Sequence, residues 1–472
     1  MSFILIIALG FRLYKINTPL ADLHSWRQAD TAAVSRNFSK NGINLLKPQY
    51  DDLSSNQTGR ENPEGLRFVE FPIYNAIISI SHNLFSGLPV EVHGRIVTAV
   101  FSLLIIAVIY YICLKEVGRE AAAVASLTYA IFPYFVFFSR VVLPETSALS
   151  FAFIAVFFLY KYSEVKTMLP KIMLFSLSLL SFSLAVLVKP TAIFYGIALL
   201  YIFIRMYKFN VLKKIDFYLF FLLSIAPFLL WRLYISGFPE GIPPNDWLIT
   251  SVNTYQGLQN IFLRPAFFRW IFFERLNNYI LGGYLGFLLL LGLLIKPNRY
   301  LPHFLFASAI IYLFVFEGGN VQHEYYQTLI LPPVAILIGS GTASLLKNRK
   351  MFLHPIFTYM TVLAVFMLSF FFSFYKVRDY YHIPEELPQI AKIVNSLTSD
   401  SDKIVTDRMG DTTLLYLMDR KGAPSVYKDP PELSRLGYSY LVTLNEGMRN
   451  DMKNKYKYQT IFENNKFALF KL

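Results

Sequence analysis

Apolar residues gather into eleven runs near membrane-crossing length, at roughly 1–13, 95–113, 120–138, 146–160, 172–188, 191–206, 216–236, 276–295, 302–316, 325–346 and 353–375. About 20 such residues span a hydrocarbon core as a helix, so each run is an expected transmembrane α-helix. The first is short: either its helix continues toward Tyr14 or the native start lies upstream. A secretory signal fits it less well, because no small-residue cleavage site follows and Arg12 stands at the wrong end. Residues 72–86 are apolar but interrupted by Asn75, Ser79, Ser81, His82 and Asn83, and are read as an interfacial helix that does not cross.

Between the runs lie three longer polar stretches. The first, about 15–94, contains 25–39 (SWRQADTAAVSRNFS), read as an amphipathic helix lying on the membrane surface. The second, about 237–275, is rich in Gly and Pro and ends in the aromatic-basic string RPAFFRWIFFER. The third, 376–472, mixes a helical pattern (ELPQIAKIVNSL) with strand-like runs (DKIVTDR, YSYLVTL, FALFKL) and reads as a small α/β domain. The expected fold is an α-helical polytopic membrane domain over 1–375, with about 11 transmembrane helices and a large first outer loop. A small C-terminal α/β extracytoplasmic domain follows over 376–472. No internal repeat or low-complexity segment stands out.

Charge fixes the orientation. With 72–86 not crossing, alternate loops at 115–119, 161–171, 205–214, 296–299 and 347–350 hold fourteen Lys/Arg against four acids at or beside them (Glu116, Glu120, Glu164, Asp216). The opposite short loops hold little beyond Arg140, Lys189, Glu145, Glu317 and Glu324. That bias is the positive-inside pattern, with the N-terminus cytoplasmic and the C-terminal domain extracytoplasmic in a multi-pass plasma (inner) membrane protein. It also accounts for most of the net charge of +13 in a 472-residue chain that is 55% hydrophobic and only 16% charged. Disorder and nucleic-acid binding are thereby disfavoured. The single Cys113, inside an apolar run, excludes a disulfide framework and a CxxC metal site.

Ionisable residues at a membrane edge are functional candidates by default. Arg27 and Asp30 share a helix face (i, i+3); they read as a carboxylate with a neighbouring phosphate-binding base, or as a plain helix-surface ion pair. Glu70 and Glu145 flank prolines (EFPIY, VVLPE), where a helix-capping role competes with a catalytic one. Arg140 and Lys189 lie at outer helix junctions; Lys189 suits a lipid phosphate as a point charge, or simply snorkels. His323, Tyr325 and Tyr326 open the tenth run and suit a phosphate or sugar, or an ordinary aromatic belt. On the derived topology these residues, with Asp22, fall on the outer side, as a site for an amphipathic phosphate-bearing substrate would.

These motifs carry a family likeness: Arg12-Leu13-Tyr14 after a short first span, WRQADTAAVSRNF at 26–38, EFPIY at 70–74, SRVVLPE at 139–145 and HEYYQTLILPP at 323–333. Their order over about 1–346 resembles the GT-C glycosyltransferases with dolichyl- or polyprenyl-phosphate sugar donors. The closest branch is the bacterial one related to protein O-mannosyltransferases and lipid A aminoarabinose transferases. The resemblance implies a hexosyl- or pentosyltransferase whose partners are a polyprenyl-phosphate-sugar donor, a lipid, glycan or protein acceptor, and the bilayer. It places the general base in the first outer loop, usually in an Asp-Glu pair that this chain lacks. Asp30 is the nearest acid, with Asp22 and Glu70 as substitutes. Glu70 matches the family's acid before proline, although Phe71 replaces the usual neighbouring lysine, and Glu145 stands where an aspartate is usual. Arg27, Arg140, Lys189, His323, Tyr325 and Tyr326 are implied near substrate. No Asp-x-Asp motif is present, so no metal or other cofactor is expected. The competing readings are a transporter or flippase of lipid-linked sugars, which predicts polar groups in mid-span and internal symmetry, and a non-catalytic scaffold.

Overall fold

The computed structural model describes residues 1–244, 265–351 and 354–472, together with the backbone of a two-stranded antiparallel ribbon, Val252–Thr254 with Gly257–Gln259. Half of the stretch 237–264, namely 245–251, 255–256 and 260–264, therefore lies outside the described residues. The string that follows begins a short helix, Pro265–Phe268, and continues as a wider π-type helix, Arg269–Ile280.

The chain divides into two compact units. The helical unit comprises Met1–Ile16, Arg95–Trp231 and Asn245–Asp379; the mixed unit comprises Asn17–Gly94, Arg232–Pro244 and Tyr380–Leu472. This division differs from a single cut after 375, because the first polar stretch packs in the same unit as the tail.

Each of the eleven apolar runs carries helix. Six helical segments among the described residues are long and apolar enough to cross a membrane: Val90–Glu116, Met168–Val188, Pro190–Lys213, Ile215–Ile235, Glu324–Lys347 and the segment beginning at Pro355. Ser2–Arg12 and Leu301–Val315 are apolar but shorter. The run at 276–295 is broken by left-handed Gly282 and Gly283 (φ +58° and +80°). A side chain at Gly282 would overlap the Ser369 carbonyl, so backbone approaches backbone there. The helix Ile73–Leu84 has twelve residues; its rise of about 18 Å falls short of the ~30 Å core.

Small residues set how the helices of the helical unit meet. Leu331–Lys347 approaches Arg119–Ile131 and Gly286–Leu294 through Gly339, Gly341 and Gly292. A Cβ at Gly341 would lie 2.0 Å from the Leu288 carbonyl oxygen, and one at Gly339 2.6 Å from that of Ala121. Close helix approach through small residues is the usual means of association where lipid offers no hydrophobic drive.

The tail forms a five-stranded sheet. Its strands are β1 Ile404–Thr406, β2 Gly422–Ala423, β3 Tyr440–Thr443, β4 Thr460–Glu463 and β5 Ala468–Lys471. Their order is β2-β1-β3-β5-β4, with β1 parallel to β2 and β3, and β5 antiparallel to β3 and β4. Alternation sends Ile404, Val442 and Leu469 into one core beneath the expected helix Glu386–Leu397, and Val405, Leu441 and Phe470 into the other. The first polar stretch adds to the β2 edge: Asp52 pairs with Gly422 in parallel, Leu53 N–H donates to the Gly422 carbonyl at 2.7 Å, and Gly422 N–H donates to that of Asp51 at 2.8 Å. β2 and its helix Thr413–Met418 have no clear period-two or 3.6 signature in the sequence.

Replacing Gly341 by Val forces a side chain into the facing backbone and is expected to destabilise the helical unit by about 3 kcal/mol or more. Gly87→Ala, with open space around it, is expected to change stability by less than about 0.5 kcal/mol. Thermal unfolding of the purified protein in detergent measures both.

Candidate functional site

The sequence-predicted residues fall into two groups, one in each unit. In the mixed unit the central element is the helix Ser25–Asn41, and it differs from the surface-lying helix expected of 25–39. Every residue from Arg27 to Phe38 is buried. The cause is polar pairing on its sides, because each charged side chain meets a counter-group from elsewhere in the unit.

Asp30, 1% exposed, receives Arg67 Nη2 at 2.6 Å on Oδ2 and the Thr412 hydroxyl at 2.7 Å on Oδ1. Arg27 pairs with Glu70. The i, i+3 spacing of Arg27 and Asp30 is thus answered by the same spacing of Arg67 and Glu70, cross-paired between helix and loop. Arg36 meets Asp51 at 2.5 Å and Asp419 at 3.0 Å, donates to the Tyr416 carbonyl at 2.7 Å, and stacks on the Tyr416 ring. The N-cap position of the helix Ile73–Leu84 is Pro72, two residues after Glu70.

Asp22 stands in the turn before the helix, where Gln28 Nε2 donates to its Oδ1 at 2.6 Å and to the Leu23 carbonyl at 2.9 Å. His24, the residue preceding the helix, is left-handed with φ +57°, a conformation a non-glycine residue holds only where its surroundings enforce it. Leu23, His24, Ser25 and Trp26 are part-exposed.

Burial raises the Asp30 carboxyl, against the charges of Arg67 and Arg27 and the Thr412 hydrogen bond. Asp51 is raised by burial against Arg36. Asp52, which accepts from Ser54 N–H and Oγ, is pushed by burial up to about 6.

In the helical unit Glu145 and Lys189 form a buried ion pair, Nζ to Oε1 2.6 Å, with side-chain exposures of 2% and 7%. Glu145 opens the helix Glu145–Tyr162, and Lys189 ends Met168–Val188 in extended backbone before Pro190 starts a 3₁₀ turn. Proline's lost N–H and fixed φ favour that change of course. Lys189 lies 5.1 Å from the Tyr326 ring centre and 6.0 Å from that of Tyr325, so it neither snorkels nor lies open. His323 stacks on Tyr325 at 5.2 Å. Tyr325 and Tyr326 are buried and do not form an exposed belt. Arg140 is buried and donates to the Lys15 carbonyl at 3.1 Å.

Sequence reasoning missed Arg67 and Arg275. The signal for Arg67 was its mirrored spacing with Glu70. Arg275 lay in a string read only as interfacial; its guanidinium binds the Asn320 and Val321 carbonyls, Gln327 Oε1 (3.1 Å) and Glu324 Oε1 (3.0 Å). It thereby fixes the backbone that presents His323, Tyr325 and Tyr326. Beside it a cavity of about 370 Å³ is lined by Arg269, Trp270, Glu274, Arg275, Tyr279 and Glu324. Among the described residues no group of three or more His, Cys, Asp or Glu side chains is placed to hold a metal ion.

Two outcomes follow for the mixed unit. Arg67→Leu leaves a buried carboxylate without its cation and is expected to lower stability by about 3–5 kcal/mol, whereas adding Asp30→Asn recovers much of that loss; chemical denaturation of the wild type, the two single variants and the double variant reads the coupling. Asp52 has a folded pKa near 6, above the unfolded value of about 3.9, so the folded state holds its proton more tightly. Its contribution is greatest below pH ~4 and is lost as pH rises to ~6. Asp52→Asn is expected to abolish that fall and to raise stability at pH 7 by up to about 3 kcal/mol, read from unfolding midpoints between pH 4 and 8.

A family model described as dolichyl-phosphate-mannose-protein mannosyltransferase matches residues 69–231. No curated protein sequence matches the chain. Among solved structures, ArnT from Cupriavidus metallidurans bound to undecaprenyl phosphate superposes with TM-score 0.70 at 14% identity, over 100% of this chain and 97% of that one. The archaeal oligosaccharyltransferase AglB from Archaeoglobus fulgidus, in complex with an inhibitory peptide and a dolichol-phosphate, gives 0.58 at 11% identity, over 96% and 70%. The arabinofuranosyltransferase AftD from Mycobacteria gives 0.56 at 15%, over 94% and 36%. Matched segment and shared fold agree with the likeness in the motifs: residues 69–231 match the protein-mannosyltransferase family model, and the chain shares the fold of ArnT and AglB.

Proposed function

We propose that the protein transfers a sugar from a polyprenyl-phosphate-linked donor to an acceptor hydroxyl on a lipid, glycan or protein, with inversion at the anomeric carbon. The reaction takes place at the outer face of a plasma (inner) membrane. The chain crosses that membrane about eleven times, with its N-terminus inside and 376–472 outside. The observation that carries this reading is the full-length likeness to a structure bound to undecaprenyl phosphate. It is supported by the family match over 69–231, the segment that holds Glu70, Arg140, Glu145 and Lys189.

In the proposed reaction a carboxylate takes the acceptor hydroxyl's proton as the oxygen bonds to the anomeric carbon. The bond from that carbon to the phosphate oxygen breaks, and its electron pair leaves with the lipid phosphate. Of the three candidate acids we assign the base to Asp22. Asp22 is itself buried, in a turn whose next residues, Leu23 to Trp26, are part-exposed; its Oδ1 is oriented by Gln28, and the left-handed His24 shapes that turn. Asp30 has Arg67 and Thr412 on its two oxygens, and Glu70 is paired to Arg27; these pairs suit residues that frame the base. Lys189 is assigned to the donor phosphate, with Glu145 holding its ammonium in place. Arg140, His323, Tyr325 and Tyr326 complete the donor-binding set. Preorganised cations and hydrogen-bond donors of this kind stabilise charge on a leaving phosphate, so no step uses a metal.

Transfer of labelled sugar from a polyprenyl-phosphate donor by the purified protein tests the reading. Asp22→Asn is expected to lower turnover by about 10²–10⁴-fold with donor binding kept. Lys189→Gln should weaken donor binding, and a chelator should leave the rate unchanged. Full activity in Asp22→Asn, with loss in a folded Asp30→Asn or Glu70→Gln, reassigns the base. Donor binding without transfer to any of a panel of acceptors would favour a lipid-linked-sugar flippase.

A further inference from the structure

Three of the five basic loops that set the expected orientation close around one cleft of about 590 Å³ in the helical unit, lined by residues of 116–121, 295–298 and 340–349. The positive-inside rule accounts for basic residues in such loops. It does not account for their gathering about a cavity. Arg119, Lys296, Lys347 and Arg349 contribute four cations to the lining, against Glu116 and Glu120.

The walls are fixed. Asn298 donates from its backbone to the Glu116 carbonyl at 2.7 Å and from its side chain to that of Lys115 at 3.2 Å, locking 295–298 to the end of Val90–Glu116. Arg349 Nη1 donates to the Leu346 carbonyl at 2.9 Å. Glu116 is spent inward: it is fully buried and accepts from the Tyr160 hydroxyl at 2.9 Å. The helix Arg119–Ile131 opens into the cleft behind Gly118, with no side-chain cap on its first N–H groups. Uncapped N–H groups and the positive end of the helix favour an anion there. Gly339 and Gly341 keep the flanking helices close enough to shape the opening.

We propose that this cleft binds a phosphate group on the face of the membrane opposite the glycosyl-transfer chemistry, and that its ordinary occupant is the headgroup of an anionic phospholipid. Exposed Leu114 and Leu294 adjoin the lining segments in sequence and offer apolar surface for acyl chains, which favours a lipid over a soluble phosphate. The residues are separate from those assigned to the transfer reaction, so anion binding and transfer are read by different experiments; only the placement on the opposite face rests on the proposed function.

The test uses the full chain in detergent with two probes: phosphatidylglycerol against phosphatidylcholine, read by native mass spectrometry, and inorganic phosphate against chloride at equal ionic strength, read by thermal unfolding. Lys296→Gln/Lys347→Gln/Arg349→Gln is expected to weaken phosphatidylglycerol binding about tenfold or more, as loss of several charge-assisted contacts does. Lys208→Gln/Lys213→Gln/Lys214→Gln, in another basic loop, should leave it unchanged. Lys296 and Lys347 are exposed, so Lys296→Gln/Lys347→Gln should not move the ligand-free unfolding midpoint, and any shift in the triple variant is the loss of the Arg349 contact to Leu346. Should the triple variant misfold, Lys347→Gln alone serves, with a smaller loss in the same direction. Stabilisation by inorganic phosphate that the triple variant abolishes, without lipid selectivity, supports the phosphate site with a soluble occupant. Binding of neither probe, or equal effects of the two triple variants, overturns it.

Discussion

Arg67 and Asp30 meet at 2.6 Å with both side chains nearly sealed from solvent, and much of the mixed unit follows from satisfying charges like these. A carboxylate removed from water needs a cation and hydrogen bonds on its remaining lone pairs, or it destabilises the fold by several kcal/mol. The helix Ser25–Asn41 carries Arg27, Asp30 and Arg36 into the interior, and the groups that answer them are distant in sequence. Glu70 and Arg67 come from the same polar stretch, Asp51 from the strand-like segment on the sheet edge, and Thr412, Tyr416 and Asp419 from the tail. Such pairs contribute modestly to net stability, because desolvation offsets most of the attraction. Their larger effect is to exclude other arrangements of the loop and tail, since any slip leaves a buried charge unmatched.

The helical unit meets the same constraint with backbone as the partner. Arg12 donates to the Ala8, Ala130 and Tyr129 carbonyls at 2.9–3.1 Å, capping the last turn of Arg119–Ile131. Arg275 does the same for the 320–321 backbone. Carbonyls at a helix end are unspent acceptors with partial negative charge, so an arginine placed there loses little by leaving water. Glu145 and Lys189 differ in that both side chains of the pair are nearly sealed from solvent. A neutral pair of that kind holds an ammonium oriented without a net charge in the low-dielectric interior. That is the electrostatic condition for receiving a phosphate without a large standing field.

Hydropathy made the helices legible: all eleven runs carry helix, and the tail's helix and three of its strands fall where the periodicity placed them. Burial of an amphipathic-looking helix was not legible. In 25–39 the polar residues resemble a solvated face because sequence spacing reveals neighbours on one helix and not partners 40 or 380 positions away, such as Arg67 and Thr412. The two-residue strand Gly422–Ala423 was invisible for a related reason. Its place depends on Gly422 lying against Ile404, where a Cβ would stand 1.8 Å from the carbonyl oxygen. Glu145 and Lys189 were both singled out, but as separate capping and snorkelling questions. Only the fold joins them.

Positive charge therefore does two kinds of work in this chain, and burial separates them. Arg27, Arg36, Arg67, Lys189 and Arg275 are buried and paired with carboxylates, so each pair adds little to the field outside the protein. The loop lysines at 296 and 347, exposed and beside only two acids, keep theirs. The surplus of fourteen Lys/Arg over four acids at or beside the basic loops therefore stands where those loops gather. An anion approaching that face meets an unneutralised field, while one reaching Lys189 must compete with Glu145 for a cation already engaged. Competition of that kind makes the interior position discriminating, because only an anion that brings additional contacts of its own displaces or shares the existing partner. The cleft, lacking such a competitor at its exposed lysines, draws an anion by their charge, and the uncapped N–H groups of Arg119–Ile131 add direction to that attraction.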